Sequence, residues 1–271
     1  MAHWKELIAA SGLPRHEALA LVAHAIGRDA VWLIAHDTDE APDDLSQKAD
    51  SFVRRRAAGE PMAYITGERE FFGLPLHVTP DVLIPRPETE LLVEFALDKL
   101  PKHGRLLDIG TGSGAIAVAV ARHRPDAQVF ASDISDKALA VARSNALRHN
   151  VNVTFVESDG LNAFAEQETF DVIISNPPYI ADGDPHLSQG DLRFEPKVAL
   201  ACGPDGLDLI RPLTLHVGPR LRLGGWWACE HGYDQGSACL ALWRQAGFRS
   251  VSNIADLAGI FRVCAGQKAA D

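Results

Sequence analysis

Leu106-Leu107-Asp108-Ile109-Gly110-Thr111-Gly112-Ser113-Gly114 is the stretch whose reading decides the fold. Arg105 to Ile109 is an apolar, β-prone run, and glycine then stands at every second position from Gly110 to Gly114. The residues that follow, Ala115 to Arg122, have helical character. Strand, glycine-rich turn and helix N-terminus in that order open a doubly wound α/β unit. Glycine allows the sharp turn and lets a ligand come close to the backbone. Phosphate-binding loops use the same placement at a helix N-terminus.

Outward from this stretch, strand and helix alternate. Further strands are predicted at Gln128 to Ser132, Val153 to Val156, Val172 to Ser175, Gly225 to Cys229, Ser250 to Ile254 and Phe261 to Ala265, with helices between the early ones. The fold class is therefore α/β, a doubly wound and mostly parallel seven-stranded Rossmann-like sheet, assigned to residues 86–271. Residues 61–85 change character. Tyr64, Ile65, Phe71, Phe72, Leu76, Val78, Val82 and Leu83 are β-prone and are punctuated by Gly67, Gly73 and Pro80, which predicts a β-hairpin linker. Residues 1–60 read as a small helical domain. Ala18, Leu19, Leu21, Val22, Ala25 and Ile26 recur at helical spacing and stop at Gly27, and a longer helix opens at Pro42 and ends near Ala58-Gly59.

The glycine spacing is tighter than the dinucleotide pattern G-x-G-x-x-G, and it follows an acid, Asp108. A carboxylate beside the loop is unfavourable to a pyrophosphate. It suits a cofactor that carries a sulfonium and an ammonium group, as S-adenosylmethionine does. Asp133 ends the next strand, 19 residues after Gly114, where an acid can accept from both ribose hydroxyls. Asp159, with Gly160 behind it, ends the third strand, within reach of an adenine amino group. The expected cofactor site is Asp108, Gly110, Thr111, Gly112, Ser113, Gly114, Asp133, Asp159, Gly160 and Asn176. A nicotinamide cofactor and a purely structural glycine turn are the alternatives.

The strand from Phe170 to Ser175 runs into Asn176-Pro177-Pro178-Tyr179. Ligands of open α/β sheets sit at the carboxyl ends of the strands, which turns this tetrapeptide towards the cofactor. The prolines stiffen the loop and remove two N–H donors, leaving carbonyls to accept. Asn176 adds a side-chain carbonyl, and Tyr179 an aromatic face for a flat group. Two acceptors on one NH₂ group would orient both of its protons. An amide nitrogen is a poor nucleophile, so positioning and electrostatics carry the expected work. Asn176, Pro177 and Tyr179 are the expected catalytic residues, and Pro178 joins them in substrate binding. A rigid surface turn is the structural alternative.

Composition limits the rest. The chain has 271 residues, 46 % hydrophobic and 23 % charged, with a formal net charge of −10. That charge argues against a bulk nucleic-acid substrate, and Arg54-Arg55-Arg56 reads as a solvated helix face. No apolar run approaches a membrane span, and no signal peptide is seen. Cys202, Cys229, Cys239 and Cys264 have no metal-ligand spacing and read as buried reduced thiols. No metal is expected. A monomer in the cytoplasm is.

Over nearly its whole length the chain resembles the bacterial protein-(glutamine-N5) methyltransferases that modify class I peptide chain release factors (the PrmC/HemK family). The resemblance runs through Gly59-Glu60-Pro61, Tyr64 to Gly67, Phe71-Phe72-Gly73, Leu83 to Glu90, Asp108 to Gly114, Asn176 to Tyr179, Phe194-Glu195-Pro196 and Glu230-His231-Gly232. It implies that the glycine loop holds the methionine part of S-adenosylmethionine, with S-adenosylhomocysteine as product, and that Asp133 binds the ribose. Asn176 and the Pro177 carbonyl would bind the target glutamine amide, with Tyr179 packed on it. The target would be the glutamine of a Gly-Gly-Gln loop, and the N-terminal helical domain and hairpin would help grip the release factor. Gly160 stands where many members carry an aromatic residue, which leaves Asp159 as the adenine contact. Glu195 and His231 read as structural. A ribosomal-protein glutamine methyltransferase, an adenine amino methyltransferase with Tyr179 stacked on a flipped base, and a non-catalytic binding module are the competing classes.

Overall fold

The computed structural model describes residues 3–270. Contacts divide the chain into two units. One runs to Glu68 and takes in Gln189–Phe194; the other comprises Arg69–Ser188 and the chain from Glu195 onward.

The first unit is helical: α1 (Trp4–Ala10), α2 (Arg15–Ile26), α3 (Ala30–Ala35), α4 (Asp43–Ala57) and α5 (Met62–Thr66). Trp4, Ile8, Ala18, Val22, Leu33 and Ala49 form its core. Gly27 ends α2 in the left-handed conformation, as a glycine after the last helical residue does. The basic run at the end of α4 is not a uniformly solvated face. Arg54 is exposed, but Arg55 pairs with Glu60, and Arg56 bonds both oxygens of Glu17 at 2.7 and 3.1 Å.

Tyr64 and Ile65 also depart from expectation. They lie in α5, not in a strand. The Pro61 carbonyl accepts from both of their amides, Gly67 closes the turn in the left-handed region, and both side chains are buried. Burial on a helical turn overrides their β propensity. The hairpin follows, as β1 (Glu68–Phe71) and β2 (Leu74–His77), turning at Phe72-Gly73 with positive φ at both residues.

The second unit continues with α6 (Glu90–Lys99), β3 (Arg105–Ile109), α7 (Ala115–His123), β4 (Gln128–Asp133), α8 (Asp136–Arg148), β5 (Val153–Glu157), β6 (Phe170–Ser175), α9 (Ile210–His216), β7 (Leu221–Glu230), α10 (Gly236–Gln245), β8 (Arg249–Ala255) and β9 (Phe261–Gln267). Among the described residues seven strands form one sheet in the order β5-β4-β3-β6-β7-β9-β8. The pairs from β5 to β7 are parallel, and β9 runs antiparallel to both neighbours. The doubly wound, mostly parallel fold expected from the sequence is the one found. Strands β3 and β6 are covered on both faces, which is why they read as apolar runs. Leu106, Val172 and Ile174 pack on one face with α6 and α7; Leu107, Ile109 and Ile173 pack on the other with Trp227 and Trp243.

Strand β7 begins at Leu221, earlier than the predicted Gly225. An irregular register between Phe170 and Val172 absorbs the glycine pair Gly224-Gly225 inside the strand. Cys229, Cys239 and Cys264 are buried and free, whereas Cys202 is only partly buried. Among the described residues no helix is long and apolar enough to cross a membrane.

Candidate active site

The sheet register sets three strand ends side by side: Ile109 of β3 is level with Ser132 of β4 and with Ser175 of β6. The Ser175 hydroxyl donates to the Ile109 carbonyl at 2.7 Å, tying the end of β6 to β3. The glycine loop therefore leaves the sheet beside the start of Asn176-Pro177-Pro178-Tyr179.

The loop is held from below. The amides of Gly110 and Thr111 both donate to the Ser132 carbonyl, and the Gly112 amide donates to Asp133 Oδ2 at 2.8 Å. Gly110, Gly112 and Gly114 all have positive φ, a region that costs other residues roughly 1–2 kcal/mol. Gly114 has a second reason to be glycine, because a Cβ there would lie 3.0 Å from the Cβ of Ala142 on α8. Ser113 is buried, and its carbonyl accepts from Asn145.

Asp108 is fully buried under the loop. Its Oδ2 accepts from the Thr111 hydroxyl at 2.6 Å, and its Oδ1 has no partner among the described residues. Burial pushes its carboxyl up to about 7, with the Thr111 hydroxyl pulling the other way. Asp133 is engaged by backbone at both oxygens, the second through the Ser135 amide at 2.9 Å. A carboxylate has about four lone-pair sites, so each oxygen retains one. Asp159 is exposed and lines a small pocket with Ile134, Glu157 and Ser158. Ile134 was not expected from the sequence; an aliphatic side chain 62 % exposed next to Asp133 is its signal. Gly160 turns the chain in the left-handed region, and its carbonyl accepts from Ser158.

In the tetrapeptide, Pro177 is buried, and Asn176, Pro178 and Tyr179 are partly buried. Asn176 Nδ2 donates to the Thr89 hydroxyl at 3.0 Å, and no hydrogen bond reaches its Oδ1 from the described residues. The Tyr179 hydroxyl donates to Glu230 Oε1 at 3.0 Å. Burial, reinforced by Glu230, raises the Tyr179 phenol well above its ordinary value, so it stays a donor. Burial likewise pushes the Glu230 carboxyl up to about 7, while the Thr89 and Tyr179 hydroxyls favour its charged form. The Tyr179 carbonyl accepts from Gln235 Nε2 at 2.9 Å. Gly206 is needed beside it, because a Cβ there would strike the Tyr179 carbonyl oxygen at 2.0 Å.

Thr89 and Glu230 carried no chemical signal in sequence, since they lie 87 residues before and 51 residues after the tetrapeptide residues they bond. Glu195 has the structural place expected of it: it is buried and accepts from the Ile84 amide at 3.0 Å and from Arg86. His231 is fully buried and bonded to the Gly232 carbonyl. Among the described residues no group of three or more His, Cys, Asp or Glu side chains is arranged to hold a metal ion.

Comparison with known proteins adds names to this geometry. Residues 87–190 match the Methyltransferase small domain, and residues 1–67 match the PrmC N-terminal domain. A release factor glutamine methyltransferase of Bordetella pertussis is 51 % identical over 264 residues, covering 97 % of this chain and 98 % of that one. The protein of the same name from Escherichia coli is 42 % identical over 271 residues, covering 98 % of each. Among solved structures, a methyltransferase from Pyrococcus furiosus superposes with a TM-score of 0.56 at 23 % identity, over 80 % of this chain and 97 % of that one.

Proposed function

The chain belongs to the family of release factor glutamine methyltransferases, and we propose that it transfers a methyl group from S-adenosylmethionine to the side-chain amide nitrogen (N5) of the glutamine in the Gly-Gly-Gln loop of class I release factors. One observation carries the assignment of the site. Asn176 has its NH₂ group engaged by Thr89, while its carbonyl oxygen is unengaged at the strand end next to the glycine loop. A carbonyl acceptor in that place suits an NH₂ target.

The residues present fit the cofactor. The loop from Gly110 to Gly114, with Thr111 and Ser113, lets the backbone approach closely, and buried Asp108 keeps one unpartnered oxygen beneath it, suited to a cationic group. Asp133 has lone pairs left for ribose hydroxyls. Asp159 and Gly160, with exposed Ile134, would border the adenine, and Asn176 would border the methyl end. When bound, S-adenosylmethionine supplies an electrophilic methyl group on a sulfonium sulfur.

The protein's share of the reaction is to hold the amide. Asn176 Oδ1 and the Pro177 carbonyl accept the two amide protons. Pro178 stiffens the loop, and Tyr179, tethered to Glu230, packs on the amide plane. Holding both protons directs the nitrogen lone pair and stabilises the charge that grows there. The nitrogen gains a methyl group and gives up one proton to solvent, so no strong base is required. The helical domain, assigned to residues 1–60, and the hairpin linker of 61–85 are proposed to grip the release factor, leaving 86–271 to the chemistry.

The test uses labelled S-adenosylmethionine with a release factor, its Gly-Gly-Gln Gln→Ala variant, ribosomal proteins and DNA offered separately. Label on the release factor alone, lost in the variant, is the expected result; label on ribosomal protein or DNA would overturn the substrate. Asn176→Ala is expected to lower kcat about 100-fold while leaving cofactor affinity within about twofold. Equal loss of both would remove the amide-binding role.

A further inference from the structure

Asn176-Pro177-Pro178-Tyr179 cannot hold its shape by its own backbone. Pro177 and Pro178 have no N–H to donate, and the Pro177 carbonyl must stay free to accept from the target amide. The loop has to be fixed at its two ends. At its entry the Ser175 hydroxyl is bonded to the Ile109 carbonyl. At its exit the fixing group comes from a distant segment, where β7 gives way to α10.

Gln235 stands immediately before α10 and is 9 % exposed. Both N–H groups of its side-chain amide are used. Nε2 donates to the Tyr179 carbonyl and to the Asp205 carbonyl, each at 2.9 Å, and Oε1 accepts from the Gly232 amide at 2.7 Å. These partners allow one orientation only. A flipped amide would set its oxygen against two carbonyl oxygens and its NH₂ against an N–H. Two glycines leave room for it: a Cβ on Gly206 would lie 2.7 Å from Gln235 Nε2, and one on Gly232 would lie 3.1 Å from Oε1. The peptide unit that joins Tyr179 to Ile180 is thereby held on both sides. Gln235 holds its carbonyl, and its N–H, that of Ile180, donates to the Leu200 carbonyl at 2.9 Å. The Tyr179 hydroxyl is held in turn by Glu230, the last residue of β7. Groups from one short stretch, Glu230 to Gln235, thus fix both the backbone and the ring of Tyr179.

We infer that Gln235 is a positioning residue for methyl transfer: by clamping the Tyr179 carbonyl it fixes the shape of the tetrapeptide, and with it the place of the Pro177 carbonyl and the Tyr179 ring relative to the target amide. The inference rests on the reading of Asn176 and Pro177 as the amide acceptors. Proline fixes φ at Pro177 and Pro178, so with Tyr179 clamped few torsions remain through which the loop can move. Releasing the clamp returns freedom to the chain next to the acceptors, and a displacement of about 1 Å at a reacting group can cost about 100-fold in rate. The hydrogen bonds of the Gln235 side chain go to Tyr179, Asp205 and Gly232 and not to the glycine loop, so cofactor binding does not depend on it.

The experiment measures kcat, KM for the release factor and cofactor affinity for wild type, Gln235→Met, Gln235→Glu, Asn176→Ala and the double variant Asn176→Ala/Gln235→Met, with the thermal midpoint showing that each is folded at the assay temperature. Methionine keeps the length of glutamine and loses every hydrogen bond. Glutamate keeps the shape and the acceptor for Gly232 but sets an oxygen against the Tyr179 and Asp205 carbonyls. Each single change at Gln235 is expected to lower kcat about 20-fold, with KM within about threefold and cofactor affinity within about twofold. In the Asn176→Ala background, where one acceptor is already gone, Gln235→Met should cost less than about threefold more, because residues that act as one unit are not additive. A residue that only supports the fold would multiply the two losses. Wild-type kcat in Gln235→Met, or multiplied losses in the double variant, overturns the positioning role. So does a loss that falls equally on kcat and cofactor affinity. Should Gln235→Met fail to fold, Gln235→Glu takes its place, alone and in the double variant. Full turnover in Asn176→Ala would instead sink the reading on which the clamp rests.

Discussion

Burial pushes the Asp108 carboxyl up to about 7, and the Thr111 hydroxyl only partly opposes it. The folded protein therefore holds a proton there at pH values where the unfolded chain, titrating near the usual carboxylate value, has released it. Stability conferred by the protonated form is full below the unfolded value and is lost as pH rises towards 7. Burial pushes the Glu230 carboxyl up to about 7 as well, with the same sign. Unfolding in urea without cofactor should show stability falling by up to about 1.4 kcal/mol per pH unit for each group between roughly pH 5 and 6.5. Asp108→Asn should remove about half of that slope, and an unchanged slope would show that Asp108 does not titrate in the window. The acid itself was legible as a residue beside the loop. Its state was not, because sequence carries no information on how completely the loop, α7 and the sheet enclose it.

Elements show a similar division. The strands were legible because both faces of β3 and β6 are covered, which demands continuous apolar runs. Tyr64 and Ile65 were misread because a single helical turn of five residues leaves no period to detect. The start of β7 was missed because a glycine pair normally marks a break, and here it is taken up in a bulge. Glu195 serves an element rather than the chemistry. It joins the chain after Phe194 to the segment that leads into α6, with one oxygen on a backbone amide and the other on Arg86. Glu195→Ala should destabilise the protein by about 2–3 kcal/mol in urea, since it leaves the Ile84 amide unpaired and Arg86 without its counter-charge. A loss below about 0.5 kcal/mol would show that water or another group replaces the clamp.

For the molecule as a whole, the chain returns on itself in a way no local pattern announces. Gln189–Phe194 lies far along the sequence, yet it belongs to the helical unit that runs to Glu68. Arg56 joins the pieces, bonding Glu17 on α2 and Asp191 at 3.2 Å. Arg56→Ala should lower the stability of that unit by about 1.5–3 kcal/mol, read as faster hydrogen exchange in α2 and α4, with cofactor affinity unchanged. Unaltered exchange in those helices would remove Arg56 from the unit's framework. The alternation of apolar strands with helices, the glycine loop between its acids, and the Asn-Pro-Pro-Tyr turn are local, and sequence alone determined the α/β sheet and pointed to the residues at its carboxyl edge. Their relations are not local. Which end of the Asn176 amide faces outward, how a buried Glu230 holds the Tyr179 hydroxyl, and why Gly206 must lack a side chain depend on groups brought together from segments 27 to 87 residues apart. Only the packing of the sheet, its loops and its helices brings those groups within hydrogen-bonding distance, and there burial determines what each one can donate or accept.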